Sequence, residues 1–528
     1  MQIKSMPTVI FFASLFVFTM GLSSQEIIGF DSRFYLFVQE MLRSGIRFFP
    51  ETYHHPYPDY SASSTILIYV FALFWGGLNK CVAVFPTAIM AALTVTFTYL
   101  IGSLRNKHWG YCAAMMMLLT YFFVKSARAI SLDMYSVLAT TICFYLIYSA
   151  DKENKRDRAR WIYFFFIVGF IFRGPIGLVI PAGVVSVYYA INRNFKALFV
   201  KGVMAFLLLC LCTAVLLSLA FYVGGDGFMH DVLRMQVLGR MNNPYLPIYF
   251  YWTSSLTNYA LSYLFSLLII GIAAYHVYID GDFFDENTLF LWQLLGWMMV
   301  ILIGMSVPDD KKVRYILPMV PAIALIATYP FAAPSQYYFV ILRRLFRNLF
   351  FIFPSIFLLA TIFFQYYLRL NFVNHMLFFL LMQIINAIIF YGIDVQTLRE
   401  KVVITIAASC FIFAMITIIE PIQLQMDKAR EFVLATESSR TQAKSALVFY
   451  RESPDGLPIK YLIYKTSSDD PVFIQDADSL MRLAQPVYVV TSESNYLELS
   501  ENIRKHFRVV ARDVMGHVRV VVLIQILK

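Results

Sequence analysis

Apolar runs long enough to cross a bilayer recur along this chain as far as about residue 419, and no other feature restricts its fold so severely. Roughly 20 apolar residues carry a helix across a hydrocarbon core about 30 Å thick. Runs near or approaching that length fall at 7–25, 82–104, 109–126, 134–150, 161–173, 174–191, 197–223, 256–279, 289–307, 315–332, 346–368, 376–394 and 402–419. The pattern predicts an α-helical polytopic membrane protein with about 13 transmembrane helices. Only Lys4 precedes the first run, which is long for a signal peptide and lacks a small-residue cleavage site, so it is expected to stay as the first span. Composition agrees, with 59% hydrophobic and 14% charged residues and a mean hydropathy of +0.65. A net charge of +10 would suggest nucleic acid in a soluble protein, but here the basic residues cluster between apolar runs, as loops facing anionic membrane lipids do. No nucleic-acid module is present. The cysteines Cys81, Cys112, Cys143, Cys210, Cys212 and Cys410 lie within apolar segments and suggest neither disulfides nor a zinc site.

One apolar segment, Ala62 to Leu78, is left over, and it decides the side of every later loop. Read as a helix packed at the outer surface, or re-entrant, it leaves the N-terminus cytoplasmic. The basic clusters at 152–160, 193–201 and 343–347 then lie inside, as the positive-inside bias favours. Asp31, Asp133, Arg173, Arg240 and the Lys311–Arg314 group then share the outer face, whereas a spanning 62–78 segment would put Asp31 opposite the others. The non-spanning reading is therefore the expectation, with an ordinary extra span as its alternative.

Gly29 to Asp59 holds the first aspartate of the chain, Asp31, where the first span should leave the membrane. Phe34, Phe37, Val38, Met41 and Leu42 then recur at helical spacing opposite Gln39, Glu40 and Arg43, which predicts a helix lying along a membrane surface. Pro50, Pro56 and Pro58 prevent it from continuing through the aromatic loop from Phe48 to Tyr60. A carboxylate at the membrane boundary beside such a loop reads as the floor of an active site. His54 and His55 with Asp31 form a candidate divalent-metal site, although adjacent histidines in an aromatic loop are more often interfacial or donor contacts.

Further along, Lys125–Asp133 (KSARAISLD) places Asp133 at the N-terminal end of a span. A helix dipole stabilises a charge there by roughly 0.3–1 kcal/mol, so a simple cap competes with a functional role. Phe172–Pro181 (FRGPIGLVIP) is a tight outer turn leaving Arg173 to meet a phosphate or the carboxylates, or simply to snorkel. A long outer segment, 224–255, carries Arg240 in LGRMNNPYLPIYFYW and has the makings of a lid. Pro308–Pro318 (PDDKKVRYILP) gathers Lys311, Lys312, Arg314 and Tyr315 outside, against the usual charge bias, which suggests a bound anion.

In this order the features resemble the GT-C membrane glycosyltransferases, closest to the lipid A aminoarabinose transferase (ArnT-like) branch and related to the protein mannosyltransferases. The matching pieces are Asp31-Ser-Arg33, Arg128 to Met134, Arg173 to Pro181, Leu238-Gly-Arg240 and Lys312 to Ala322. The resemblance implies a polyprenyl-phosphate sugar donor, lipid A or a related envelope acceptor, and an outer-face site in a bacterial inner membrane, carried by a monomer. It implies Asp31 as base and Asp133 as its assistant or as holder of the acceptor. Arg33, His55, Tyr57, Arg128, Arg173, Arg240, Lys311, Lys312, Arg314 and Tyr315 are the implied substrate-binding residues. The chain departs from the family at Ser32, usually acidic, at Ser131, often arginine, and at His55-Pro56-Tyr57-Pro58, where a lysine usually contacts the donor phosphate. These departures bear on the donor sugar and the phosphate contacts.

The chemistry fits the residues. A carboxylate orients and deprotonates an acceptor oxygen, and cations stabilise charge on the departing phosphate. The donor brings its own phosphate leaving group, so no nucleotide loop or cofactor is required. Residues 1–425 form the expected transmembrane catalytic domain, with 28–80 as outer juxtamembrane segment. Residues 430–528 turn polar and carry strand-like runs ALVFY, KYLIY, PVFIQ, VYVVTS and VRVVVLIQIL, with helix-like DSLMRLA and NYLELSENIRKHF between them. This predicts a small C-terminal α/β domain on the periplasmic side. Two rival functions remain: a protein O-glycosyltransferase or other cell-surface glycan transferase, and a lipid-linked sugar flippase or transporter, against which stands the lack of an inverted repeat and of mid-span charges.

Overall fold

A computed structural model describes the whole chain except residues 1–4, 28–30, 54, 59–61, 237–245, 281–285, 333–335, 369–370, 427–428, 466–468, 484–486, 516–517 and 526–528. In chain order the elements up to residue 426 are α1 (Met6–Thr19), α2 (Asp31–Ser44), a minimal hairpin of β1 (Glu51–Thr52) and β2 (His55–Pro56), α3 (Ser63–Trp75), α4 (Lys80–Ser103), α5 (Lys107–Leu118), α6 (Tyr121–Ala127), α7 (Asp133–Lys152), α8 (Ile162–Arg173), α9 (Pro175–Ile191), α10 (Phe195–Gln236), α11 (Phe250–Asn258), α12 (Ala260–Asp280), α13 (Glu286–Ser306), α14 (Val320–Ala327), α15 (Tyr337–Leu368), α16 (Val373–Gly392), α17 (Gln396–Ala414) and α18 (Glu420–Met426). The chain forms two compact units. One comprises Met1–Met20, Pro58–Ser64 and Val84–Ile416; the other comprises Gly21–Tyr57, Thr65–Ala83 and Thr417–Lys528.

The first unit is a multi-pass bundle. Among the described residues eight helices are long and apolar enough to cross a membrane, or nine if α5 and α6, bent by 73°, make one span. The sequence suggested about thirteen, and the difference lies in α7, α8, α9 and the stretch 313–327. Helix α7 is long enough, with 20 residues, but is buried along most of its length and so carries Ser136, Thr140 and Thr141 where a lipid-facing span would be apolar. Helices α8 and α9, with 12 and 17 residues, are divided at Gly174, and 313–319 is a 3₁₀ turn before α14. Lipid-facing character is plain elsewhere: α10, α15 and α16 expose Phe206, Leu211, Phe363, Leu377 and Ile388. Helix α10 does not end at the Gly224-Gly225 pair as the sequence suggested. Gly225 takes φ +71° and kinks it, and helical residues resume to Gln236. Helix α3 has 13 residues, about 20 Å at 1.5 Å per residue, too short to cross as a straight helix.

The interior of this unit is built from aromatic and small side chains, with Trp109, Phe144, Trp297 and Tyr259 wholly buried. Indole nitrogens need partners there. Trp109 Nε1 donates to the Leu325 carbonyl and Trp297 Nε1 to that of Pro318, both at 2.9 Å. The second contact fixes the end of the 3₁₀ turn. Gly169 and Gly177 bring α8 and α9 into backbone contact, and a Cβ on either would overlap the carbonyl oxygen of the other.

In the second unit, α2 has the predicted amphipathic face, burying Phe34, Phe37, Val38 and Met41, while Leu42 is exposed. The C-terminal part starts with α19 (Arg430–Gln442) and holds a five-stranded sheet, ordered β4-β3-β5-β7-β6, of β3 (Ala446–Tyr450), β4 (Val472–Ile474), β5 (Val487–Ser492), β6 (Phe507–Met515) and β7 (Val518–Gln525). β3 pairs in parallel with β4 and β5, and β7 is antiparallel to β5 and β6. Four of the five expected strands are present. The fifth, KYLIY, falls on the end of a helix and the turn after it: α20 (Leu457–Leu462) carries Pro458 in its first turn and ends at its C-cap Ile463, and the four-residue spacing of Ile459 and Ile463 suits their packing on Ile27 and Leu36. Strand β6 begins at Phe507, the last residue of the run NYLELSENIRKHF expected to be helical, and continues through residues to which the sequence pattern gave no element. An ionic group closes this part: buried Arg440 makes paired hydrogen bonds to buried Glu437 (2.8 and 2.9 Å) and to exposed Asp469 (2.8 and 3.1 Å).

Candidate functional site

Three segments of the first unit converge on Asp133. It opens α7, where the helix N-terminus favours its charge. Arg173 closes α8, and Gly174, with φ +65°, turns the chain directly into α9. Arg314 lies in the 3₁₀ turn after the basic run. Arg173 Nε donates to Asp133 Oδ1 at 2.7 Å, and Arg314 Nε lies 3.3 Å from Oδ2. Asp133 and Arg173 are 5% and 4% exposed, so the carboxylate is held by two cations out of water. Such a pair is retained only when both charges are satisfied.

Tyr315 organises the remaining cations. The Arg173 and Arg314 guanidinium carbons lie 5.5 and 5.7 Å from its ring centre and Lys312 Nζ lies 5.8 Å away, within cation–π range. Its hydroxyl donates to Asp310 Oδ2 at 3.1 Å, and Lys312 Nζ is 3.3 Å from the same oxygen. Lys311, buried, donates to the Leu246 carbonyl at 3.1 Å. Exposed Asp309 aside, Arg173, Lys311, Lys312 and Arg314 set four positive charges against Asp133 and Asp310, an excess of two. This net-positive group, with Lys312 half exposed, suits a phosphate.

Tyr251, Tyr259 and Asp310 were not singled out from the sequence. The Lys312 backbone N–H donates to Tyr251 Oη at 3.2 Å, and Tyr259 Oη donates to the Val313 carbonyl at 2.9 Å, so the two phenols clamp the basic turn. Burial pushes the Tyr251 phenol well above its ordinary value, against the effect of the Lys312 N–H, and keeps it neutral. The only signal for Asp310 was its place in PDDKK; the tyrosines gave none, being two among many aromatics in apolar sequence.

Arg128 is buried but lies at the end of α1, donating to the carbonyls of Val17 (2.8 Å) and Met20 (2.9 Å). It satisfies acceptors that a helix C-terminus leaves open. Arg240 lies outside the described residues.

The other candidates belong to the second unit. Asp31 stands in the first turn of α2 and is 7% exposed. Arg33 Nη2 donates to the Asp455 carbonyl at 3.3 Å and lies 3.7 Å from its carboxylate, with the guanidinium 5.1 Å from the Tyr57 ring centre. Tyr57 is buried against Phe37. Tyr53 Oη donates to the Pro454 carbonyl at 2.7 Å, and burial, reinforced by Asp455, raises its pKa. A cavity of about 370 Å³ opens beside Arg33, lined by Asp455, Leu457, Lys460 and Met515. His55 is exposed on the β1–β2 hairpin. His54 lies outside the described residues, and among those described no group of three His, Cys, Asp or Glu side chains could hold a metal.

Residues 63–221 match the model of a family described as dolichyl-phosphate-mannose-protein mannosyltransferase. Two uncharacterized proteins of Aquifex aeolicus (strain VF5) match at 27% identity over 237 residues and 23% over 255, covering 43% and 47% of this chain. The chain spans about half the length of these curated relatives, 50% and 48%. Among solved structures, ArnT from Cupriavidus metallidurans bound to undecaprenyl phosphate superposes with a TM-score of 0.70 at 16% identity, covering 98% of this chain and 97% of that one. The archaeal oligosaccharyltransferase AglB from Archaeoglobus fulgidus, in complex with an inhibitory peptide and a dolichol-phosphate, gives 0.52 at 12% identity over 93% of this chain and 69% of that one. At these identities the likeness is one of fold.

Proposed function

We propose that this chain, which shares the fold of ArnT from Cupriavidus metallidurans, is a GT-C membrane glycosyltransferase of ArnT-like form that transfers a sugar from a polyprenyl-phosphate donor to a lipid acceptor of the cell envelope. The observation that carries this reading is the buried Asp133–Arg173–Arg314 group with Lys312 and Tyr315 beside it. It offers guanidinium and ammonium donors to a phosphate. The undecaprenyl phosphate in the ArnT structure and the dolichol-phosphate in the AglB structure support the same donor class.

In the reaction, an acceptor oxygen attacks the anomeric carbon, the bond from that carbon to the donor phosphate oxygen breaks, and its electron pair leaves on polyprenyl phosphate. The order of motifs assigns the acceptor proton to Asp31, and Lys312 and Arg314 are groups suited to stabilise the charge gathering on a leaving phosphate. Asp133 keeps Arg173 and Arg314 in place. The acceptor is lipid A or a related glycolipid and the sugar an amino sugar, both resting on the ArnT-like order of motifs. The active face is periplasmic in a bacterial inner membrane. A protein acceptor is the second reading, favoured by the mannosyltransferase match over 63–221.

Mass spectrometry of envelope lipids and proteins from cells with and without this chain separates the two. A glycolipid gaining one amino-sugar mass supports the first reading. The same gain on protein supports the second, and no gain on either removes transferase activity from the account.

A further inference from the structure

A second cationic group lies at the junction of α15, α16 and α17, on residues no part of the proposed reaction uses. Arg343, Arg344 and Arg347 start α15's basic face, and Arg399 and Lys401 flank Glu400 on α17. Glu400 is 1% exposed and fully engaged: Arg343 binds it through two nitrogens at 2.8 and 2.7 Å, His108 Nε2 lies at 2.7 Å and Gln396 donates at 3.0 Å. It has nothing left for its neighbours.

Arg347 and Arg399 place their guanidinium carbons 5.3 and 5.5 Å from the centre of one ring, that of Phe390. Arg399 donates to the Ile393 carbonyl and Arg347 to Asn348 Oδ1, both neutral acceptors. Lys401 lies 5.6 Å from the Tyr111 ring centre. Among the described residues none of Arg344, Arg347, Arg399 and Lys401 pairs with a carboxylate. Glu400 is the negative charge that acts on Arg347, but Arg343 already pairs with it, so the two guanidiniums on one ring stand in an excess of positive charge that a bidentate anion such as a phosphodiester relieves.

The surroundings say what carries that phosphate. Ile341, Leu345, Ile388 and Leu398 on the same three helices are 37%, 55%, 66% and 47% exposed. In a membrane-spanning bundle that apolar surface faces acyl chains. A ligand with an anionic head for the arginines and hydrocarbon for these side chains is a lipid.

We propose that Arg347, Arg399 and the Phe390 ring form a headgroup site for an anionic glycerophospholipid, with Arg344 and Lys401 completing its charge. None of these residues belongs to the Asp133–Arg173–Arg314 group.

The test uses the full-length protein in nanodiscs of phosphatidylcholine with or without phosphatidylglycerol, followed by native mass spectrometry of the lipid released with the protein. Wild type is expected to retain phosphatidylglycerol in preference to phosphatidylcholine. At about 1 kcal/mol per basic group, each arginine removed lowers that preference roughly fivefold. Arg347→Gln is the primary variant because it gives up no backbone carbonyl bond, and Arg347→Gln/Arg399→Gln the stronger one. Arg156→Gln, an exposed arginine outside this group, is the control, and equal melting temperatures in pure phosphatidylcholine verify folding. Equal retention of the two lipids by wild type, or a preference undiminished in both variants, overturns the proposal. An equal loss in the Arg156→Gln control reduces it to general surface charge and overturns it as a site.

Discussion

Asp133 and Arg173 should be coupled energetically, and the size of the coupling follows from the geometry. The Arg173 Nε to Asp133 Oδ1 distance is 2.7 Å, and the side chains are 2% and 7% exposed. Removing one partner of a buried pair costs about 3–5 kcal/mol, because the other is left charged in a poor dielectric. Arg314 remains 3.3 Å from the second carboxylate oxygen and is itself only 22% exposed, which holds Arg173→Met near the lower end, about 3 kcal/mol. In an Asp133→Asn background the same change removes a guanidinium that has already lost its closest counter-charge, so it should cost at most about 1 kcal/mol. The coupling is then about 2 kcal/mol, well above the ~0.5 kcal/mol scatter of independent sites. SDS-induced unfolding in mixed micelles, followed by circular dichroism for the four proteins of the cycle, measures it. Equal costs of Arg173→Met in the two backgrounds would refute the claim that the pair is a buried structural unit.

Other consequences are tested separately. Gly177→Ala drives a methyl group into the Gly169 carbonyl, so α8 and α9 must separate; a loss of about 1–3 kcal/mol is expected in the same unfolding assay, with transfer falling as Arg173 moves. Arg128→Gln should lower stability by about 2 kcal/mol or more through the unpaired Val17 and Met20 carbonyls, while KM for the donor in folded protein stays unchanged; a raised KM would return Arg128 to the substrate. In the C-terminal part, burial, reinforced by Glu437, raises the Tyr461 phenol, and burial raises Tyr464. Both stay protonated when folded, whereas unfolded tyrosine ionises near pH 10. Their contribution is therefore complete below about pH 10 and lost as pH rises above it; limited proteolysis of residues 430–528 across pH 8–11 should show this, and a flat profile would contradict it.

The bundle was legible because lipid-facing helices must be apolar along their length, and the order of polar punctuation marked where Asp133, Arg173 and Arg314 leave those runs. The amphipathic α2 was legible for the same reason, its apolar positions repeating at helical spacing. Interior helices obey a weaker rule: 134–150 read as one more spanning run, yet α7 is packed by protein on nearly all sides and so tolerates Ser136, Thr140 and Thr141 within it. Short turns are set by tertiary contacts, as at 313–319, where Trp297, Tyr251 and Tyr259 hold backbone groups from distant sequence. KYLIY has strand propensity, yet Pro458 and the burial of Ile459 and Ile463 on α2 decide for helix. The His108–Glu400–Arg343 group could not be read at all, since it joins residues 292 and 57 positions apart.

Release of polyprenyl phosphate from a polyprenyl-phosphate sugar, measured in membranes holding equal amounts of wild type and Asp31→Asn, tests the central claim most directly. The account predicts acceptor-dependent release by wild type and its loss in Asp31→Asn. Undiminished release by Asp31→Asn would remove Asp31 from the chemistry, and absence of release by wild type with every envelope acceptor supplied would contradict glycosyl transfer itself.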